Sequence, residues 1–600
     1  MSCALDFIFF GHQVAKTHPK KKNAEKLSTH EFLVNYTNVT RLNHTKSMML
    51  VNGQFPGPPI HAREGDTIVV RVTSFVKPNI TIHWHGVRQL RTGWYDGVPY
   101  VTQCPLQQNA SFTYRFQLLN QTGVLWYHAH TSWHRASIHG AIIVQPRKNV
   151  LYPFTTPSQE FTIILGEWWN ADVEQVIAEA LATGGGYNVS DALTINGQPG
   201  FLYNSSAADA YRINITSGCT YLLRLVNSCM NFALYVGVAN HSLTVVQLDS
   251  AYAVPFDVDF VLIAPGQTLD VLLHANHSHG RYYLASSVFS IPSATLVPFP
   301  NVSATALVEY VGVGASSELH HNNNDDSTVT NNNNMMLPMF PAHNDSAYQQ
   351  AFDAKQFSLN TSDQTFYIPQ TVDIHLLFTV GYGLASNTSC YPLPECEGYL
   401  GYRLLGSVNN ITYKAPTPNK STKSFLQYGY EYDRGLLSST ARSSFNLTFP
   451  DHPEHIFNYT GSQLPLSLYF PQNGTRLSPI PFNSSVQLVL QDTSILQFEI
   501  HPFHLHGNSF YIVGSGSGNY DPATSPATFN LVNPPLRNTY GVPYGGWVAV
   551  RFRADNPGAW LLHCHFEIHQ SWGMETVFFV HEGHGSDQRL PPPPAHYPLC

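Results

Sequence analysis

Six stretches of this chain alternate apolar and polar side chains: DTIVVRVTS (66–74), SFTYRFQLL (111–119), TYLLRLVNS (220–228), LDVLLHAN (269–276), SVQLVLQD (485–492) and GWVAVRFRAD (546–555). A period of two puts alternate side chains on opposite faces of an extended strand. A strand with one apolar face needs a second sheet to bury it, so the pattern points to stacked β-sandwiches. Gly and Pro, 41 of each in 600 residues, supply the turns between the strands. Helical periodicity is scarce. VEQVIAEALATGGG (173–186) is the best short helix, and its glycines predict where it stops. The expected fold class is all-β.

Six hundred residues exceed one ordinary core. The polar, low-complexity run HHNNNDDSTVTNNNN (320–334) reads as a linker. The expected layout is an N-terminal extension over 1–29, a first sandwich over 30–150, a second over 158–313, an Asn-rich linker over 314–340 and a third sandwich over 341–600. His320, His321 and the nearby MMLPM are weighed as a copper-loading tract, but a solvated linker is the better reading.

Charged residues are only 12% of the chain and the net charge of −8 is spread out, with no basic stripe. Nucleic acid is therefore not an expected partner. No apolar run reaches the ~18 residues of a membrane-crossing helix. The start, MSCALDFIFFGHQVAKTHPKKK, is a poor secretory signal: Asp6 interrupts its apolar patch and the positive charge follows the patch. About twenty Asn-x-Ser/Thr sequons, including Asn35, Asn38, Asn43, Asn79, Asn109, Asn214, Asn301, Asn446 and Asn483, point instead to secretion.

Eight cysteines are present. Cys390 and Cys396 flank a short Pro-containing loop and suit a local bridge; Cys104 and Cys600 suit a clip between the first sandwich and the C-terminus. Cys219 and Cys229 share an extended stretch too long for them to bond each other, so they read as buried thiols or cross-domain partners. Cys3 stays unassigned.

The histidines are clustered. IHWHG (82–86), WYHAHTSW (126–133), HPFHLHG (501–507) and LLHCHFEIHQSWGM (561–574) each contain a His-x-His pair. On a strand, positions i and i+2 face the same way, so each pair offers two imidazoles to one side, a pincer for a transition metal. One such pair is usually coincidence; four, two near each end of the chain, are not. Zinc fits poorly, because structural zinc wants four ligands rich in cysteine and catalytic zinc three. In HCH, Cys564 points away from His563 and His565 and is free to bind a different metal. A thiolate with His501, His569 and the distant thioether of Met574 makes a blue-copper ligand set. Eight histidines remain, enough for three further ions as three, three and two. The Cys564 backbone then links the two centres.

These motifs resemble the multicopper oxidases over nearly the whole chain. LVNGQFPGPPIHAREGD, HWHGVRQLRTGW, GAIIVQP, LTINGQPG and RFRADNPGAWLLHCH are similar to plant-type laccases. The resemblance implies three sequential cupredoxin-like (Greek-key β-sandwich) domains and four copper ions. Type 1 copper would take His501, Cys564 and His569 with Met574 axial; type 2 copper His83 and His504; one type 3 copper His85, His128 and His565; the other His130, His506 and His563. Electrons would come in at the His569 edge, which lines the substrate pocket in relatives. Asp96 and Glu567 match carboxylates near the three-ion cluster that orient ligands and supply protons. His139 is expected to pack at a domain face, His134 to sit where relatives are apolar, and His581 and His584 to belong to the tail.

The implied reaction is one-electron oxidation of phenols (hydroquinones, monolignols or flavonoids) coupled to reduction of O₂ to two waters. The setting would be lignin or polyphenol metabolism in the apoplast, with a monomeric enzyme. Three alternatives stand beside it. Ascorbate oxidase shares all ligands, although LRTGW and NPPLRNTYGVP (533–543) look more laccase-like. A ferroxidase would need acidic residues beside His569. A non-catalytic cell-wall cupredoxin protein would have lost type 1 ligands, which are intact here.

Overall fold

The computed structural model describes residues 26–598 and 600, apart from 204–207, 291–298, 312–335, 386–389, 391, 392, 394, 417–422, 439–444 and 463. Cys3, His320 and His321 lie outside the described residues, as does most of the expected N-terminal extension and linker. All six alternating stretches are strands: Thr67–Ser74, Ser111–Gln117, Thr220–Asn227, Thr268–His274, Ser485–Asp492 and Gly546–Arg553. The expected helix runs Val173–Thr183, capped by the Asp172 side chain and ended by Gly184 in the left-handed conformation. No helix among the described residues is long and apolar enough to cross a membrane.

Among the described residues the strands form six sheets, two for each of three sandwiches, and the same topology recurs three times. In each sandwich the first long strand pairs in parallel with a later one: Leu27–Arg41 with Thr67–Ser74, Gln159–Trp168 with Thr220–Asn227, and Ile374–Ala385 with Ser485–Asp492. In the opposing sheet a short strand pairs in parallel with the last: Ile60–Arg63 with His139–Gln145, Arg212–Ile215 with Ala304–Tyr310, and Leu477–Ile480 with Glu575–Val580. The fold is all-β with three cupredoxin-like units, as expected.

The repeat explains where the histidines lie. In the first unit, Ile82–His85 pairs antiparallel with Gly123–Ala129; in the third, His501–Leu505 pairs antiparallel with Gly558–Cys564. The corresponding pair in the second unit, Ala233–Val238 and Arg281–Phe289, carries no histidine. Among the described residues, the paired histidines thus occupy equivalent positions in units one and three.

Those two units are pressed together. One apolar cluster joins Trp84, Trp94 and Leu106 of the first unit to Phe425, Leu426, Leu561 and Phe579 of the third. Arg88 donates to both oxygens of Asp555 at 2.6 Å. Cys104 and Cys600 are bonded, as are Cys390 and Cys396, both as expected. Cys219 is also in a disulfide, whereas Cys229 is a buried free thiol.

Candidate metal centre

The strand registers bring the four pairs to one place. His83 lies opposite His128, and His504 opposite His563. All eight pair histidines are buried. Ligand nitrogens of His83, His504 and His506, of His83, His85 and His128, and of His130, His506 and His563 each lie within 4.8 Å of one another. His565 joins them, its Nε2 3.2 Å from His85 Nδ1, and His506 Nε2 lies 3.2 Å from His563 Nε2. Gly97 permits this approach. Its φ is +89°, and a Cβ there would overlap the carbonyl oxygen of Ile82, on the strand that carries His83.

The outward nitrogens are held by oxygens. His83 Nδ1 lies 2.7 Å from the Asp96 carbonyl, His128 Nδ1 2.8 Å from that of Ala129, His504 Nδ1 2.8 Å from that of Asn538, and His563 Nδ1 3.0 Å from that of Cys564. Thr539 Oγ1 reaches both His504 Nδ1, at 3.0 Å, and His85 Nε2, at 3.1 Å. The second unit supports Thr539, because Asp249 accepts from its backbone N–H and from that of Asn538. These bonds fix each ring and aim its other nitrogen inward.

The inward Nε2 atoms of His83, His128, His130 and His504 are buried and have no hydrogen-bond partner among the described residues. Leaving a buried polar atom unpaired costs roughly 1–3 kcal/mol, so four brought together among clustered ligand nitrogens fit a site built for cations. Burial, reinforced by mutual repulsion, lowers the pKa of His85, His128, His504, His506, His563 and His565 well below 6.5, and that of His130 to about 3. The rings are therefore neutral, the form that binds a metal.

Asp96 lies beside two of the cluster's rings. Its Oδ2 is 3.0 Å from His506 Nδ1 and its Oδ1 3.3 Å from His83 Nδ1. Glu567 acts at one remove. Its carboxylate is 3.0 Å from Arg135, whose guanidinium also contacts the His565 ring and donates to the His565 carbonyl at 3.1 Å.

The second centre lies across the Gly558–Cys564 strand. Ligand atoms of His501, Cys564 and His569 cluster within 4.8 Å, with Cys564 Sγ 3.4 Å from His569 Nδ1 and 4.0 Å from His501 Nδ1. Met574 is fully buried, and its backbone bonds to both sides of the site: its N–H to the His569 carbonyl at 2.9 Å, its carbonyl to the Cys564 N–H at 3.1 Å. Burial raises the Cys564 thiol well above its usual value and lowers His569 to about 3. A thiolate here needs a compensating cation.

Several residues carried no warning in the sequence. Tyr382 places its hydroxyl 2.9 Å from His569 Nε2 and donates to Glu499, whose carboxylate is 3.4 Å from the same nitrogen. His569 is only 3% exposed, so the open edge implied by the resemblance is covered. Burial raises Glu499 to about 7. Asp492, 3.6 Å from His501 Nε2, is raised by burial to about 6. Glu174, at the start of the Val173–Thr183 helix, accepts from Ser132 Oγ at 2.7 Å and Trp133 N–H at 3.1 Å and faces His134 Nε2 at 3.3 Å. The buried His134 is thus an interdomain contact. His139 packs edge-on against Phe55. His581 is more than a tail residue: its Nδ1 lies 2.7 Å from Asp433.

Comparison with known proteins agrees with this geometry. Multicopper oxidase domain families match residues 33–149, 159–313 and 446–584. The chain is 45% identical over 575 residues to Laccase-2 of Oryza sativa subsp. japonica, covering 95% of each chain. It is 44% identical over 567 residues to Laccase-17 of Arabidopsis thaliana, covering 94% of each. Among solved structures, a laccase from Botrytis aclada superposes with a TM-score of 0.65 at 23% identity, covering 94% of this chain and 89% of that one. Fet3p, a multicopper oxidase that functions in iron import, superposes with a TM-score of 0.67 at 20% identity, covering 95% and 94%. Sequence, topology and the two converging ligand sets agree: the chain belongs to the multicopper oxidase family and is a laccase of the plant type.

Proposed function

We propose that the chain holds four copper ions. His501, Cys564, His569 and Met574 would hold type 1, and His83 with His504 type 2. His85, His128 and His565 hold one type 3 ion, and His130, His506 and His563 the other. The observation that carries this reading is the set of four partnerless Nε2 atoms converging between units one and three, with a buried thiolate-forming cysteine one residue from two of the cluster's histidines. Bound copper supplies one-electron acceptance at the cysteine site and four-electron reduction of O₂ at the cluster. The protein's part is to keep the buried rings of His85, His128, His504, His506, His563 and His565 neutral, aim rings through oxygen acceptors, and set the carboxyl groups of Asp96 and, through Arg135, Glu567 beside the cluster. Phenols (hydroquinones, monolignols or flavonoids) are the electron donors, and the sequons support action in the extracellular matrix.

Glu499 favours a second reading, since a carboxylate beside His569 is what oxidation of ferrous iron would need. It is a single group already engaged by Tyr382, so the phenol reading is preferred.

Copper analysis with visible and electron paramagnetic resonance spectra, then oxygen uptake with a monolignol, ascorbate and ferrous iron, tests both. About four coppers per chain, a blue band and phenol-driven uptake are expected. A colourless protein after full copper loading would overturn the ligand assignment. Uptake driven better by ascorbate or iron would overturn the substrate.

A further inference from the structure

A phenol oxidised at a buried imidazole must bring its hydroxyl to the free ring nitrogen and hand that proton to an acceptor. Around His569 both positions are filled by the chain itself. Tyr382 Oη is 2.9 Å from His569 Nε2, and its proton is donated to Glu499. The Tyr382 ring stands edge-on to His569 at 5.1 Å and 89° and lies 6.0 Å from Trp572, which is nearly parallel to His569 on another side. Tyr382, Glu499 and Trp572 are 5%, 6% and 7% exposed, so this is a packed lining. The Tyr382 backbone is fixed, because its strand, Ile374–Ala385, pairs with Arg403–Val408 and sets Tyr382 opposite Gly406.

We propose that Tyr382 is a built-in phenol that occupies the substrate's place at His569, so that an external phenol must displace its hydroxyl from both His569 and Glu499. Tyr382 is then a specificity-determining residue. Donors able to replace both of its hydrogen bonds get in, and weaker or bulkier ones are turned away. The inference rests on reading His569 as the edge where electrons come in.

The test compares wild type with Tyr382→Leu, which opens the space, and Tyr382→Phe, which keeps the ring and removes both hydrogen bonds. Steady-state oxygen uptake is measured with a hindered dimethoxyphenol. Binding is measured calorimetrically with 4-nitrophenol, which resists oxidation, on anaerobic holoenzyme that has been reduced with dithionite and freed of all excess reductant by gel filtration. Tyr382→Leu is expected to raise kcat/KM and tighten 4-nitrophenol binding by about tenfold, the weight of one to two hydrogen bonds, with Tyr382→Phe intermediate. Unchanged binding in both variants would overturn the proposal. So would a large fall in kcat with the blue band intact, which would make Tyr382 a conductor of electrons instead of an occupant. Tyr382→Phe carries the test by itself if the leucine variant does not fold. Failure of the underlying assignment reads differently, as a wild-type holoenzyme without a blue band.

Discussion

Asp96 Oδ2 lies 3.0 Å from His506 Nδ1, joining residues 410 positions apart, while the Asp96 carbonyl holds His83 Nδ1 at 2.7 Å. One residue of the first unit thus orients histidines from both ends of the chain. Asp96→Asn keeps the carbonyl contact and the side-chain size but removes the anion. Loss of such an outer partner typically lowers metal affinity or activity by about 10–100-fold. We expect a fall of that size in the rate at which O₂ reoxidises the reduced enzyme in stopped flow. The blue band should survive, since Asp96 has no contact with Cys564.

Cys564→Ser separates the two centres. The sulfur lies within 4.0 Å of both His501 and His569 and belongs to no other site. The variant should lose the blue band and about one copper per chain and should stop phenol-driven oxygen uptake, because a serine oxygen is a poor substitute for a soft thiolate. The remaining paramagnetic copper signal should persist. Loss of all copper would mean that Cys564 is needed for the fold.

Met574→Leu tests whether the Met574 thioether is a ligand at the cysteine site. Met574 is fully buried and bonded through its backbone to His569 and Cys564, so leucine should fill the same space. Removing an axial thioether should raise the type 1 reduction potential and extend activity to phenols that are harder to oxidise. Redox titration of both proteins checks this; an unchanged potential would count against axial ligation.

Glu167 gives a prediction about pH and stability. Burial raises its carboxyl from 4.5 to about 7, although Ser190 Oγ and the N–H groups of Met230 and Asn231 donate to it. The folded chain therefore keeps a proton that the unfolded chain releases. That contribution is fully present below about pH 4.5 and is lost as pH rises towards about 7, by up to about 1.4 kcal/mol per pH unit. Glu167→Gln should flatten this part of the stability curve in denaturant unfolding across the window. An identical pH profile in the variant would refute the assignment.

The parts of the site visible in the sequence were those governed by a local rule. His-x-His on a strand fixes both rings to one face whatever the rest of the chain does, so the eight paired ligands could be read from spacing. Cys564 and its flanking histidines followed the same rule in reverse. Period two likewise marked the six strands, because a half-buried strand must alternate. Asp96 and Glu567 were reached only by resemblance; in spacing alone, Asp96 is a turn residue before a glycine. Tyr382, Glu499, Arg135 and Glu174 were not reached at all. Tyr382 reads as one more aromatic in an apolar strand, and Arg135 as a surface charge. Their meaning comes from contacts made across 117 residues to Glu499 and 430 to His565, which no local pattern encodes.

The division of ligands between equivalent strands of units one and three, locked by Cys104–Cys600, has a consequence for biogenesis. A nascent chain can complete its first two sandwiches and still own only two of the four pincers. Stable copper capture must await release of the last strands, so metal uptake certifies that synthesis has run to the end. A truncated product lacking the final segment would be folded in large part, yet without the means to turn oxygen into water.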